Sequence, residues 1–498
     1  MKVKDFADKI KQKETVFIKE FKSDGYSVFV HNDKIVPLLK NEYSASDIEK
    51  LDKQTLSARK IVIVKKAWGS FIQAASFQSE EMGSITNYDA IWIRDTLWGY
   101  LALKTSAENQ EAAKTILITM LDYISKQRFR MRTIIKEPSI LNLPDGKMRA
   151  VHIRFNCNSP EFDDVYENGK AQNWNHKQND ALGLLLDLTL SAYKDGSLTL
   201  KELRQNNRFE SLIELIAYLA QIKFYEMADS GAWEEEERVN TSSIGLVVSA
   251  LENLSNLLAK NPQFSKVFDG IVSSLQLKKI LNTQNINNLI VKGYEKIKKQ
   301  ISIGGESPSY DKTDSRYRTA DAALLNLIYP ANLTRLSIVE KYKILEIVSS
   351  LAGDYGIKRY KNDNYQSANF WFNNIKTDAA QESMDIRKKS YIKGSEAQWF
   401  FDSWFSKCFL ILYLESKQDK DLKAAFKYTN RALSQITGNN ALGADAKIIK
   451  SFALPESYNT VIYKGKTYYA PSPITPLNWA KASMTLMFEE YRKANLYS

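Results

Sequence analysis

The stretch GAWEEEERVN, residues 231–240, sets Glu234, Glu235, Glu236 and Glu237 directly behind Trp233. Four carboxylates against an indole read in two ways. Either they form a solvated acidic loop, or the first is an acid–base group beside a ring that stacks on a sugar. The second reading needs another carboxylate. Glu456, in SFALPESYNTV (residues 451–461), follows a proline outside any helical pattern. A further cluster lies in NYDAIWIRDTLWGY, residues 87–100, where Arg94 and Asp95 follow Tyr88 and Trp92. A guanidinium fork and a carboxylate can hold adjacent hydroxyls while rings cover the apolar face of a polyol. The plain alternative for Asp95 is a first-turn helix residue. In residues 154–186 a long polar loop feeds Gln178, Asn179 and Asp180 into an apolar helix, where Asn179 or Asp180 serves equally well as a cap.

Other chemistries find less support. The net charge is +11, yet the lysines alternate with acids and form no basic block with interleaved aromatics, so no nucleic-acid partner is expected. His31, His152 and His176 lack zinc-like spacing to one another or to a cysteine, so no metal is expected. No Walker loop or GxGxxG occurs, and no cofactor is expected. No run of about 18 apolar residues predicts a membrane span. The start, MKVKDFADKIKQKETVF, has no apolar segment of the secretory kind, and only Cys157 and Cys408 are present. A cytoplasmic protein, or one exported without a signal peptide, is the expectation.

The elements that must position these residues are mostly helical. Segments such as QEAAKTILITMLDYISKQ, NDALGLLLDLTLSAYK, FESLIELIAYLAQIKFYEM, TSSIGLVVSALENLSNLLAK and AQWFFDSWFSKCFLILYLES repeat apolar residues at steps of three and four. About a dozen helices follow from this pattern. Several are apolar nearly all round and must be covered on more than one side. Two concentric layers of six would do this; an irregular solenoid or a pair of bundles would as well. The first 54 residues read as an extension, with YSVFVHNDKIVPLL as two short strands around Asn32-Asp33. A second hairpin is expected around Lys464-Gly465, and residues 55–498 read as one domain.

In order and local wording these clusters resemble the glucoamylase family of inverting glycoside hydrolases (family 15). They also resemble the glucoamylase-like part of phosphorylase kinase α subunits. YDAIWIRD, KQNDALGLLL, AWEEEERVNTSSIGLVVSAL, YRTADAALLNLIYP, YGIKRYKNDNY and LPESYN with TPLNWAKA carry the likeness, from about residue 60 onward. The resemblance implies an all-α (α/α)6 barrel. It also implies release of glucose, with inversion, from the non-reducing ends of glycogen-like, starch-like or maltooligosaccharide chains. The alternatives are a catalytically weak glucan-binding or regulatory domain like that of the kinase subunits, or an inverting (α/α)6 hydrolase of another α-glucoside. In that reading Glu234 is the general acid and Glu456 the base that activates water. Arg94, Asp95 and Arg359 clamp the terminal glucose, while Tyr88, Trp92 and Trp233 wall the subsites. Glu235 touches the neighbouring sugar, and Gln178 and Asp180 belong to the substrate-binding set. The partner is then an α-glucan and the enzyme a monomer.

Two local expectations follow. Burial beside the indole and like charge from the glutamates behind it are expected to keep Glu234 protonated near neutrality, with Glu236 and Glu237 facing solvent. Residues 361–395, a charged insertion containing Phe370 and Trp371, read either as a lid or glucan-contact loop or as a surface loop.

Overall fold

The helical periodicity becomes a closed ring. In the computed structural model the described residues are 2–13, 16–75, 90–167, 169–373 and 384–496. Five α-helices and one 3-10 segment form the inner layer: Ile93–Lys104, Asn179–Lys194, Thr241–Lys260, Ala322–Leu327, Asp402–Ser416 and Asn478–Lys493. Each packs on the next, and the last returns to the first. Outside them lie Gln110–Lys126, Arg208–Gln221, Thr283–Ile303, Ile338–Ser349 and Asp419–Ser434. The helix Ala45–Thr55, capped by Ser44, packs outside Asn478–Lys493 and takes the sixth outer place. The expected division between residues 1–54 and 55–498 thus falls in the last turn of a helix that packs on the barrel.

This is the expected (α/α)6 barrel, and its sequence logic is simple. Helices enclosed on two sides lose their amphipathic stripe, and Asn179–Lys194 is buried from Asn179 to Leu190 without a break. Gly183 lets that helix approach Thr241–Lys260: a Cβ there would stand 2.7 Å from the backbone nitrogen of Val247. The inner helices all begin at the same rim. Asp95, Asp180 and Asp402 occupy first turns, where helix N-termini favour negative charge.

Hairpins close the rest. Lys464 and Gly465, both at positive φ, turn the chain between Ser457–Tyr463 and Lys466–Pro471, as expected. The N-terminal hairpin exists but is displaced: Phe17–Phe21 pairs with Tyr26–Val30, and the turn carries Gly25 at φ +66. Asn32-Asp33 instead leads into a 3-10 turn, Val36–Leu38, where Pro37 cannot donate to a strand ladder. The Asp24-Gly25 pair was the stronger hairpin signal.

Candidate active site

At the rim where the inner helices begin, one cavity holds both catalytic candidates. Glu234 and Glu456 line it together with Arg94, Asp95 and Arg359. Its walls are aromatic: Trp92, Trp174, Trp233, Tyr365, Trp399 and Trp479. The empty space between these groups, including the part open to solvent, is about 600 Å³. Both glutamates are deeply placed, Glu234 at 7% and Glu456 at 2% exposure. Tyr88 lies outside the described residues.

Glu234 is presented by a closed loop. Asp229 and Arg238 exchange backbone hydrogen bonds at 2.9 Å, and Asn240 Nδ2 donates to the Asp229 carbonyl and to its carboxylate. Inside the loop, Gly231–Trp233 makes one 3-10 turn that ends on Glu234 itself in the left-handed region, φ 61 and ψ 30. A non-glycine residue rarely adopts this conformation and holds it only when its surroundings dictate it. Trp233 Nε1 donates to Asp321 Oδ1 at 2.8 Å and anchors the turn. Glu237 accepts from Asn175 and Lys177, and Glu236 accepts from Ser315, so both are only half-buried but neither is a bare solvent-facing acid.

Arg94 is the hub below the acid. Its Nη1 donates to Glu234 Oε1 at 3.1 Å and its Nε to Asp180 Oδ2 at 2.8 Å, while Nη2 reaches Gln178 Oε1. Gln178 and Asp180 therefore sit behind Arg94 rather than in the cavity wall. Neither Asn179 nor Asp180 caps its helix; the Asn179 amide is satisfied by Asp229 Oδ2 instead. Burial raises Glu234 to about 7 against the pull of Arg94 and Arg154, with Asp95 and Asp180 adding to the rise. Burial also raises Asp95 to about 6. The expectation that the neighbouring glutamates keep Glu234 neutral is thus corrected. The like charges that matter come from other inner helices, because Glu235 turns away into its own ion cluster.

Glu235 accepts from Arg359 Nη2 at 2.9 Å, from Tyr360 Oη and from Arg318 Nη2 at 3.4 Å, with Arg387 at 3.7 Å. Although burial opposes it, this cationic cage holds Glu235 down at about 2. Glu235 does not line the cavity; it stands behind Arg359. Arg359 is gripped a second time by Asp363, whose two oxygens accept from Nε and Nη2 at 2.7 Å each. A forked pair of this kind fixes the plane of the guanidinium.

Glu456 is set by strand pairing. Its amide donates to Ile474 O at 3.0 Å, and the next residue, Ser457, pairs with Trp399 of the short strand Gln398–Trp399. That register puts a cavity wall beside the carboxylate. The insertion completes the site rather than only covering it. Tyr365 forms a wall, and Gln366 Nε2 donates to Glu456 Oε2. Phe370 and Trp371 do not line the cavity; Phe370 packs edge-on behind Tyr365. Residues 374–383 lie outside the described residues. Among the described residues, no group of three or more His, Cys, Asp or Glu side chains is arranged to hold a metal.

No protein-family model matches the chain. The chain is 43% identical over 211 residues to the uncharacterized lipoprotein YgeQ of Escherichia coli K12, an alignment covering 42% of this chain and 80% of YgeQ. It belongs to the YgeQ family. A second K12 relative, the putative protein YgeP, is 46% identical over 105 residues, which cover 20% of this chain and all of YgeP. Among solved structures, this YgeQ-family chain is similar to a glycosidase variant, with a TM-score of 0.55 at 13% identity over 91% of this chain and 98% of that one. It is also similar to the glucoamylase of Saccharomycopsis fibuligera, with a TM-score of 0.52 at 13% identity over 93% and 100%. The family 15 glucoamylase of Hypocrea jecorina gives 0.52 at 12% over 90% and 73%. At such identities the shared property is the fold, that of glucoamylase-like (α/α)6 enzymes.

The expected cytoplasmic placement is corrected by the YgeQ match, since that relative is a lipoprotein. Cys157 and Cys408 are both buried and not bridged to each other, and a small cysteine count of that kind does not by itself fix a compartment. No described helix is long and apolar enough to cross a membrane. Sequence reasoning also missed Trp174, Tyr365, Trp399 and Trp479 as walls, Asp321 as anchor of Trp233, and Gln366 at Glu456. Trp174 and Trp479 stand within segments already singled out, so an indole next to a polar cluster was the available signal.

Proposed function

We propose that this chain is an exo-acting glycoside hydrolase that releases glucose with inversion from the non-reducing ends of α-glucans or maltooligosaccharides. One observation carries the reading: Glu234 and Glu456 face a single cavity walled by indoles and lined by two arginines and an aspartate. Flat apolar walls with a few charged donors and acceptors suit a pyranose, which has apolar faces and a hydroxyl rim.

The proposed mechanism uses unlike carboxyl groups. Glu234, held near 7 instead of in the usual carboxylate range, still carries its proton in a large share of molecules at neutral pH and gives it to the glycosidic oxygen as the C1–O bond breaks. Glu456 accepts a proton from water as that water adds to C1 from the opposite face. Arg94, Asp95 and Arg359 hold the hydroxyls of the terminal sugar, and Trp92 and Trp233 cover its faces. A single chain builds the whole cavity, so a monomer suffices. By likeness to the lipoprotein YgeQ, the proposed setting is exported and membrane-anchored, and the substrate is a glucan reaching that side.

The test follows anomeric proton signals while purified protein acts on maltose, maltotriose, isomaltose and glycogen. β-Glucose as first product is the expected result. α-Glucose would overturn inversion, and no release from any of the four would overturn the α-glucan assignment.

A further inference from the structure

We infer that Gln366, supplied by the insertion, is a positioning residue that helps hold the Glu456 carboxylate ionised and aimed into the cavity. The inference rests on the reading of Glu456 as the base.

The argument begins with what an amide can do next to a carboxylate. An ionised carboxylate only accepts hydrogen bonds, so the amide nitrogen must face it. The Gln366 side chain satisfies this: Nε2 donates to Glu456 Oε2, while Oε1 accepts from Ser457 Oγ at 3.1 Å. The two ends of one amide thus engage consecutive residues of the base strand. The amide neither gains nor loses a proton near neutral pH, so it fixes orientation without competing for the proton of water. Donation to the charged form also favours that form, which matters at a position only 2% exposed and walled by indoles. Among the described residues, the charged groups lining the cavity besides Glu456 are Arg94, Asp95, Glu234 and Arg359.

The backbone is built for this contact. Gln366 has φ 57 and is fully buried, a rare conformation for a residue with a long side chain. Asp363, three positions earlier, grips Arg359 and also accepts from the Tyr365 amide at 3.0 Å. Asn369, three positions later, exchanges two hydrogen bonds with the Ile462 backbone at 2.8 and 2.9 Å. The segment is therefore pinned on both sides of Gln366, once to the sugar clamp and once to the base strand.

Gln366→Met keeps the shape and removes the donor; Gln366→Glu puts a second carboxyl against the base. With maltotriose as probe, the acidic limb of the kcat/KM profile is expected to move to higher pH in both variants, by on the order of one unit. At neutral pH kcat falls at least 10-fold with KM changed less than threefold. Asn369→Ala, which only loosens the same segment, lowers stability but leaves the limb in place. A limb unmoved in Gln366→Met, with wild type active, overturns the inference alone. Carboxyl titration of ¹³C-glutamate-labelled protein, assigned with Glu456→Gln, reads the same interaction without substrate. A Glu456 signal that titrates at higher pH in Gln366→Met while wild type cleaves nothing supports the contact and overturns the enzymatic reading. An unchanged signal overturns the inference.

Discussion

Arg94 and Glu234, 140 positions apart in the chain, are joined by a 3.1 Å hydrogen bond from Nη1 to Oε1. The pair sets an opposition between a cation that favours the ionised acid and a burial that disfavours it, and burial prevails. Because a general acid works only while protonated, the alkaline limb of kcat/KM is expected near pH 7. Arg94→Met removes the stronger of the two opposing cations, leaving Arg154, and should carry that limb upward by about a unit. Rates measured from pH 5 to 9 check both statements.

Removing either carboxylate tests its role directly. Glu234→Gln and Glu456→Gln are each expected to lower kcat by roughly 10²–10⁴-fold while leaving the fold intact. Steady-state kinetics with circular dichroism of the same samples decide the matter. Near-normal turnover in either variant removes that residue from the mechanism.

Glu235 answers to a different measurement. It neutralises a buried cage of Arg318, Arg359 and Arg387. Glu235→Gln leaves those cations undercompensated, and breaking a buried ion cluster of this sort costs about 3–5 kcal/mol. The expected readout is a much lower denaturant midpoint, larger than for Glu234→Gln, whose loss leaves Arg94 still paired with Asp180.

Stability should fall as pH rises from about 5 to 8. Burial raises Asp229 to about 7 and Glu306 to about 8, with a neighbouring aspartate adding to each. Over that interval the folded chain keeps protons that the unfolded chain has released, so the unfolding free energy declines with pH. Glu235, held at about 2, acts with the opposite sign but only in the acid range. Thermal midpoints in a pH series should show the decline, and Glu306→Gln, a fixed neutral mimic, should flatten it.

The inner ring has its own test. Gly183→Ala puts a methyl 2.7 Å from the Val247 backbone nitrogen, where no side-chain rotation can relieve the clash. A loss of about 1–3 kcal/mol is expected from such overpacking, read as a lower thermal midpoint with activity retained at low temperature.

The enclosed helices were legible because they announce themselves: ALGLLLDLTL has no polar face to give to water. That pattern fits a solenoid or two bundles as well, and the closed ring came only from the family resemblance. The residues of the acid loop and Glu456 were legible because their types are odd for their places, an acid run behind an indole and a glutamate after a proline. Relations across the chain were not. Nothing local to Glu235 tells that it turns toward Arg318 and Arg359, and nothing in KNDNYQSANF tells that Gln366 meets a residue 90 positions later. The N-terminal hairpin lies earlier than expected for a local reason: Asp24-Gly25, not Asn32-Asp33, supplies the positive φ that the turn needs.

The helix Ala45–Thr55 is fastened to Asn478–Lys493 through Asp52, which accepts from Arg59 and Arg492. Early and late sequence therefore share one seam. A chain leaving the ribosome can stack its first five inner elements as they appear, but the flanks of Ile93–Lys104 and Asp402–Ser416 stay uncovered until the sixth arrives. Translation must run past residue 493 before the seam can be sewn, and a chain interrupted earlier would present a raw apolar cleft to whatever stands nearby.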